Sequence, residues 1–224
     1  SLVGSEMCIR DSNLMRVGEP MYVFYGYVED GYDENGHIVY KNMDDDPAIT
    51  AADKTIIGDP NPDFLVNLTT AVSYKGFTLS AFFQSSIGND IYSLSMAAQA
   101  YDYGYNGNTL REVYYNHWTP ENPTAKYPNL DQTSYKMSDR FVYDGSFVRL
   151  KNLELAYDVP CARNKFIKRA RVYVSAQNLF TITSYPFWDP DINANGGGSS
   201  MIQGVDSYCY PSARTYTIGC RLTF

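Results

Sequence analysis

The sequence predicts an all-β chain, an antiparallel transmembrane β-barrel segment with long extracellular loops. Three observations carry that expectation. The chain closes on a strand that alternates without a break. Tyr216, Ile218, Cys220, Leu222 and Phe224 fall on one face, and Thr215, Thr217, Gly219, Arg221 and Thr223 on the other, as strand side chains must with a period of two. The 224 residues include 21 Tyr and 11 Phe, yet the mean hydropathy is only −0.35. That combination suits a barrel, where lipid-facing and lumen-facing residues cancel in the average. Finally, the connections between strands alternate short and long. A soluble β-rich domain would tolerate the first two features but has no reason to sort its loops.

Composition removes other classes. No run of about 18 apolar residues is present, so a helical membrane protein is a poor match. A net charge of −7 argues against nucleic acid, whose phosphates need a basic surface. Cys8, Cys161, Cys209 and Cys220 have neither metal-ligand spacing nor the density of a disulfide scaffold. His37 and His117 are the two histidines, far apart, and offer no histidine-based catalytic set.

Taken in order, the chain starts on Ser1-Leu-Val-Gly-Ser-Glu-Met-Cys-Ile-Arg-Asp-Ser12, which lacks the basic start and apolar core of a signal peptide. The stretch resembles translated sequencing-adapter read-through, so 1–12 is expected to be foreign and 13–224 to be the protein proper. Met21–Val28 is aromatic and β-branched and reads as a strand. Residues 29–62 are rich in Gly, Asp, Asn and Pro, the composition of a long loop. Phe64, Val66, Leu68, Val72 and Tyr74 then share one face of a strand, Lys75-Gly76 makes a tight turn, and Phe77, Leu79, Ala81 and Phe83 continue outward.

From about Tyr92 to Gly145 the pattern dissolves, apart from a short helix expected over Thr109–Asn116 with Asn108 as its N-cap and Glu112 in its first turn. Ser146–Val159 is a strand whose apolar phase slips, with Val148 and Leu150 on one parity and Leu153, Leu155 and Tyr157 on the other. A β-bulge near Asn152 is expected. A basic connection follows, then a strand through Val172, Val174 and Ala176, another Gly- and Asn-rich loop, and the closing strand. The connections therefore run long (29–62), tight (75–76), long (92–145), moderate (159–169) and long (182–212). Short turns on one side and long loops on the other are the layout of a membrane barrel. With Lys75-Gly76 periplasmic, Phe224 falls on the same side.

A set of short motifs adds to this. They are Gly58-Asp-Pro-Asn-Pro-Asp-Phe64, Ser73-Tyr-Lys-Gly-Phe77, Gly88-Asn-Asp-Ile91, Trp118-Thr-Pro-Glu-Asn-Pro123, Asp144-Gly-Ser-Phe-Val-Arg-Leu-Lys-Asn-Leu153, Gln177-Asn-Leu-Phe-Thr181 and the closing Tyr216–Phe224 strand. In this order, spanning nearly everything from Tyr22 onward, they resemble the C-terminal end of SusC/RagA-type TonB-dependent outer-membrane transporters. The resemblance implies a 22-stranded barrel closed by an N-terminal plug and capped by a SusD-like surface lipoprotein. It implies import of oligosaccharides or peptides on energy passed from TonB, with about the last six strands present here.

Candidate sites follow. Asn42-Met-Asp-Asp-Asp-Pro-Ala-Ile-Thr-Ala-Ala-Asp53 has the length of a calcium loop, with Asn42, Asp44, Asp46 and Asp53 at positions one, three, five and twelve. Pro47 stands where the sharp turn wants Gly, and a short Asp53 where a bidentate Glu is usual. The alternative is an acidic, solvated loop. Tyr101, Tyr103, Tyr105, Trp118 and Trp188 lie in the expected outer loops and could stack on a sugar ring, or could simply pack the loops. The basic stretch Arg163 to Arg171 reads as a solvated turn, with anionic lipid headgroups as the alternative. Arg149, Lys151, Arg171 and Arg221 are expected on polar strand faces, where ion-pairing is the plain expectation.

The first functional expectation is thus an importer that binds and translocates without bond chemistry, in the outer membrane and in contact with its lipid. A passive porin or structural barrel, a barrel-embedded hydrolase and a soluble lectin-like sandwich are the alternatives.

Overall fold

The computed structural model describes residues 7–9, 13–44, 46–101, 108–132, 134–160, 166–192 and 203–224. The chain divides into two compact units. One comprises Pro62–Gly88, Gly145–Asp191 and Tyr210–Phe224, and the other Ser1–Asn61, Asn89–Asp144 and Ile192–Cys209.

The first unit is a five-stranded antiparallel meander. Its strands are β1 (Phe64–Tyr74), β2 (Phe77–Ile87), β3 (Phe147–Val159), β4 (Arg169–Thr183) and β5 (Thr215–Thr223), each paired with its neighbour in the chain. Lys75 (φ 46°) and Gly76 (φ 86°) both adopt positive φ. A two-residue hairpin needs this if its twist is to match the flanking strands.

Alternation makes the two faces chemically distinct. Val72, Leu79, Leu155, Val174 and Ile218 stand in one cross-strand row through all five strands. All five are exposed, from 47 to 81%. One residue away on the opposite face, Ala71, Ser80, Glu154, Ser175 and Thr217 form the matching row, small or polar throughout. Such a continuous exposed apolar face is more than a protein leaves to water. It fits hydrocarbon, with Tyr74, Phe77 and Tyr157 as interfacial aromatics at the tight-turn end. At that end the Phe77 and Tyr157 rings lie 4.5 Å apart. Gly219 is a packing glycine, because a Cβ there would sit 2.5 Å from the Tyr173 ring that crosses it.

The bulge expected near Asn152 is present, since both ladders of β3 shift register between Leu150 and Asn152. The strand count differs from the expectation of about six. Met21–Val28 supplies only the four-residue strand Val23–Gly26, which pairs in the second unit with Asn13–Met15 and Thr55–Gly58. Its Val23 and Phe24, adjacent and hence on opposite faces, are both buried. A segment apolar on both faces belongs in a core, not at a lipid–lumen boundary. Tyr22, at φ 67°, ends the strand on one side.

The second unit is built from the stretches that read as long loops. It holds the four-stranded sheet just named, completed by Met7–Ile9, and a three-stranded sheet of Asp90–Ser93, Val142–Asp144 and Val205–Asp206. The hairpin Glu29–Tyr32/Ile38–Tyr40 accompanies them. The ladder between Met7–Ile9 and Asn13–Met15 spans the boundary expected at residue 12. Helix α1 (Leu94–Tyr101) and the single turn α2 (Arg111–Tyr115) complete the unit, over a core that includes Leu14, Phe24, Ile91, Val113, Tyr127 and Phe141. The α2 turn starts later than expected. Leu110 is extended and serves as N-cap with no side-chain bond, so Asn108 is two residues too far back to cap it.

A partly buried cross-link holds distant parts of this unit together. Arg140 donates from Nε to Glu29 Oε2 at 2.7 Å, and Ser138 donates to Glu29 Oε1 at 2.6 Å. These contacts join residues 111 and 109 positions apart.

Candidate binding site: a polar pocket on a buried arginine

The polar face of the sheet carries a site organised around Arg149. Its side chain is 2% exposed. The β3 register places Arg149 opposite Thr181 of β4, and its Nε donates to Thr181 Oγ1 at 2.9 Å. One terminal nitrogen donates to Asp191 Oδ2 at 3.3 Å and to Ser212 Oγ at 3.2 Å, and the other pairs with Asp189. The Phe147 ring lies 5.3 Å from the guanidinium carbon. A buried charge is tolerable only when it is paired and its donors are satisfied, and Arg149 meets both conditions.

Asp189 is held just as closely. Burial alone would push its carboxyl up, but the amides of Ser212 and Asp191 and the Arg149 guanidinium outweigh that and hold it below the usual carboxylate range. The Ser212 amide donates to Asp189 Oδ2 and the Asp191 amide to Oδ1, each at 2.9 Å. Lys151 reaches Asp191 at 3.6 Å. Asn178, in a left-handed conformation (φ 52°), falls where β4 compensates the bulge and donates to the Ala213 carbonyl at 3.0 Å. Residues 211–214, leading into β5, are thereby tied to β3, β4 and the Asp189–Asp191 segment.

Beside this network lies a pocket of about 310 Å³, whose lining includes Arg149, Asn178, Trp188, Asp189, Ser212 and Arg214. Trp188 is 59% exposed and stacks on Phe187 with ring centroids 5.1 Å apart. Arg214 is exposed, and among the described residues its side chain has no ion pair or hydrogen bond. Of the five aromatic residues that could either stack on a ligand or pack the loops, Trp188 is the one that lines this pocket among the described residues. Trp118 is in the other unit, packed so closely over Gly36 that a Cβ there would meet its ring at 2.3 Å. Tyr101 ends α1, and Tyr103 and Tyr105 lie outside the described residues. The sequence offered no direct signal for Asp189, Asp191, Ser212 or Arg214. The Asp-Pro-Asp spacing just past a strand end was the available clue.

The expected ion pairs on the polar face form at Arg149 and Lys151, and Arg171 lies 3.5 Å from Asp158 and 3.8 Å from Glu154. Arg221 stands directly across from Arg171. The basic stretch is partly strand, because β4 begins at Arg169. Arg163 and Lys165 lie outside the described residues.

In the 42–53 loop, side-chain oxygens turn back on the backbone. Asn42, Asp44 and Asp46 each accept the amide two residues on, at 2.8–3.1 Å. Asp53 is buried and accepts the Met43 and Thr50 amides at 2.7 Å each, which hold its carboxyl below the usual range. Among the described residues no group of three His, Cys, Asp or Glu side chains is arranged to hold a metal ion. A second, smaller pocket in the same unit is lined by His37, Asp131, Gln132 and Ser134, with His37 Nε2 2.9 Å from Asp131.

The sheet and its pocket define a class: a wall of a transmembrane β-barrel, apolar outside and polar within. No family model matches the chain. It is 32% identical over 236 aligned positions to TonB-dependent receptor P3 of Formosa agariphila, a match covering 96% of this chain and 23% of that protein. It is 30% identical over 215 positions to TonB-dependent receptor SusC of Bacteroides thetaiotaomicron, covering 93% and 20%. The RagAB peptide importer matches in its closed-closed state with a TM-score of 0.81 at 26% identity, over 97% of this chain and 24% of the other. In the open-open state the TM-score is 0.79 over the whole of this chain. The chain belongs to the SusC/RagA-type TonB-dependent transporters, and spans about a quarter of the length of the relatives it matches. These relatives are named as receptors and importers, not enzymes.

Proposed function

We propose that this chain is the C-terminal barrel segment of an outer-membrane importer. It takes up oligosaccharide or peptide together with a SusD-like surface lipoprotein, on energy delivered by TonB to a part of the protein outside this chain. The observation that carries this is the five-strand sheet. Its apolar face is built for lipid, and its polar face holds a pocket beside the buried Arg149–Asp189 ion pair. The similarity to a RagAB peptide importer and to SusC supports the importing role.

The full-length transporter, expressed in a host lacking its own copy, should take up its cargo only when TonB is present. Loss of uptake on deletion of TonB is the expected result. Uptake that persists at the same rate without TonB would favour the passive porin.

The 42–53 loop enters this reading as a self-capped element whose carboxylates already hold backbone amides. The melting temperature of the transporter should therefore be the same in calcium and in chelator. A rise in calcium that is removed by Asp44→Asn would instead assign an ion to the loop.

A further inference from the structure

We infer that the pocket beside Arg149 is a subsite for a carboxylate-bearing ligand, with Arg214 as the group that binds the charge and Trp188 as the wall against which a flat or ring-shaped part of the ligand packs. This rests on the import reading for the kind of cargo. Three observations support it. First, the charges of the pocket are unequal. Of its two guanidiniums, Arg149 is neutralised by Asp189 and Asp191, whereas Arg214 has no counterion among the described residues. Arg149, Asp189 and Arg214 sum to +1 at the pocket wall, and Lys151 offsets Asp191, so the pocket is locally positive in a chain of net charge −7 and favours an anion there.

Second, the segment that presents Arg214 is fixed in advance. Ser212 is held by its amide on Asp189 and by its hydroxyl on Arg149, and the Ala213 carbonyl accepts from Asn178. Thr215 then enters the ladder opposite Gln177. A cation held on a fixed backbone loses less entropy on binding than one on a free loop. A planar guanidinium also matches a carboxylate through two parallel hydrogen bonds. Third, Trp188 leaves more than half of its surface exposed while stacking on Phe187. An indole held by stacking on one side offers a rigid apolar wall, onto which sugar rings and planar amides both pack.

The carboxylate has two sources in this setting, a uronic acid or the C-terminus of a peptide. The test uses full-length transporter purified in detergent and isothermal calorimetry with two matched pairs: trigalacturonate against its methyl ester, and a tetrapeptide acid against its C-terminal amide. At least one charged probe should bind about tenfold more tightly than its neutral twin, as a charge-assisted contact supplies. Arg214→Gln should remove that preference without weakening the neutral twin. Arg214→Lys should keep part of it, since charge is retained and the two-pronged geometry is lost. The responding pair identifies the source. If neither charged probe is preferred, or if the preference survives in Arg214→Gln, the proposal is overturned. Binding in detergent requires no TonB, so this outcome is independent of the uptake test of the import reading.

Discussion

Replacing Arg149 with Met should destabilise the barrel wall by about 3–5 kcal/mol, because it leaves a buried carboxylate without its counterion. Arg149 is 1% exposed and Asp189 is 7% exposed, so once the guanidinium is gone the Asp189 carboxylate keeps its two amide donors but no counterion in a largely buried position. Four partners lose a donor at once: Thr181, Asp189, Asp191 and Ser212. The measurement is thermal unfolding of the purified full-length transporter, together with the amount of folded protein reaching the membrane. Adding Asp189→Asn to the Met variant should restore part of the loss, since the orphaned charge is then gone, and the cycle should show coupling of about 1 kcal/mol or more. Equal losses in the single and double variants would mean that the network is incidental.

The same pair dictates a pH dependence. The Asp189 carboxyl is held below its ordinary value of 3.8 in the folded protein, so the unfolded chain takes up its proton first as the pH falls. Its contribution is complete above about pH 5 and is lost as the pH drops through the folded value. The difference in melting temperature between wild type and Asp189→Asn should therefore be largest near neutrality and shrink toward pH 3.

How much of this was legible beforehand differs sharply between the two units. All five long strands follow from residue-by-residue alternation, and even the β3 bulge shows as a phase slip between Leu150 and Leu153. Alternation is a local signal, and a sheet with lipid on one side obeys it strictly. The second unit has no such signal. Its contacts join residues far apart in sequence, Glu29 with Arg140 and His37 with Asp131, and its strands are two to four residues long. Stretches of that length, rich in Gly, Asp and Asn, read as loops although they enclose a core.

The site was legible in outline only. Arg149 could be placed on the polar face because Val148 and Leu150 occupy the other. Its partners could not be named, because Asp189 lies 40 residues on and Ser212 lies 63 residues on, both beyond the ends of the regular strands. Trp188 was singled out for its chemistry together with four other aromatic residues. Only packing separates it from Trp118, whose ring is used up against Gly36.

Two adjacent residues give the sharpest test of which face meets lipid. Val174 stands in the apolar row between Leu155 and Ile218, and Ser175 stands one position on, between Glu154 and Thr217. Val174→Arg should cost about 2–4 kcal/mol if that face crosses hydrocarbon near its middle, and less toward the interfaces. Ser175→Arg should cost little, because the side chain points the other way and finds the Glu154 carboxylate across the strand. The full-length variants would be compared by folding into lipid vesicles, read from the heat-modifiable shift in gel mobility. A large loss for Val174→Arg beside a small one for Ser175→Arg is the expected pattern. A soluble sheet would reverse the reasoning: at 51% exposure, an arginine at Val174 would sit in water at almost no cost. Equal tolerance at the two positions would therefore remove the membrane from the account of this sheet.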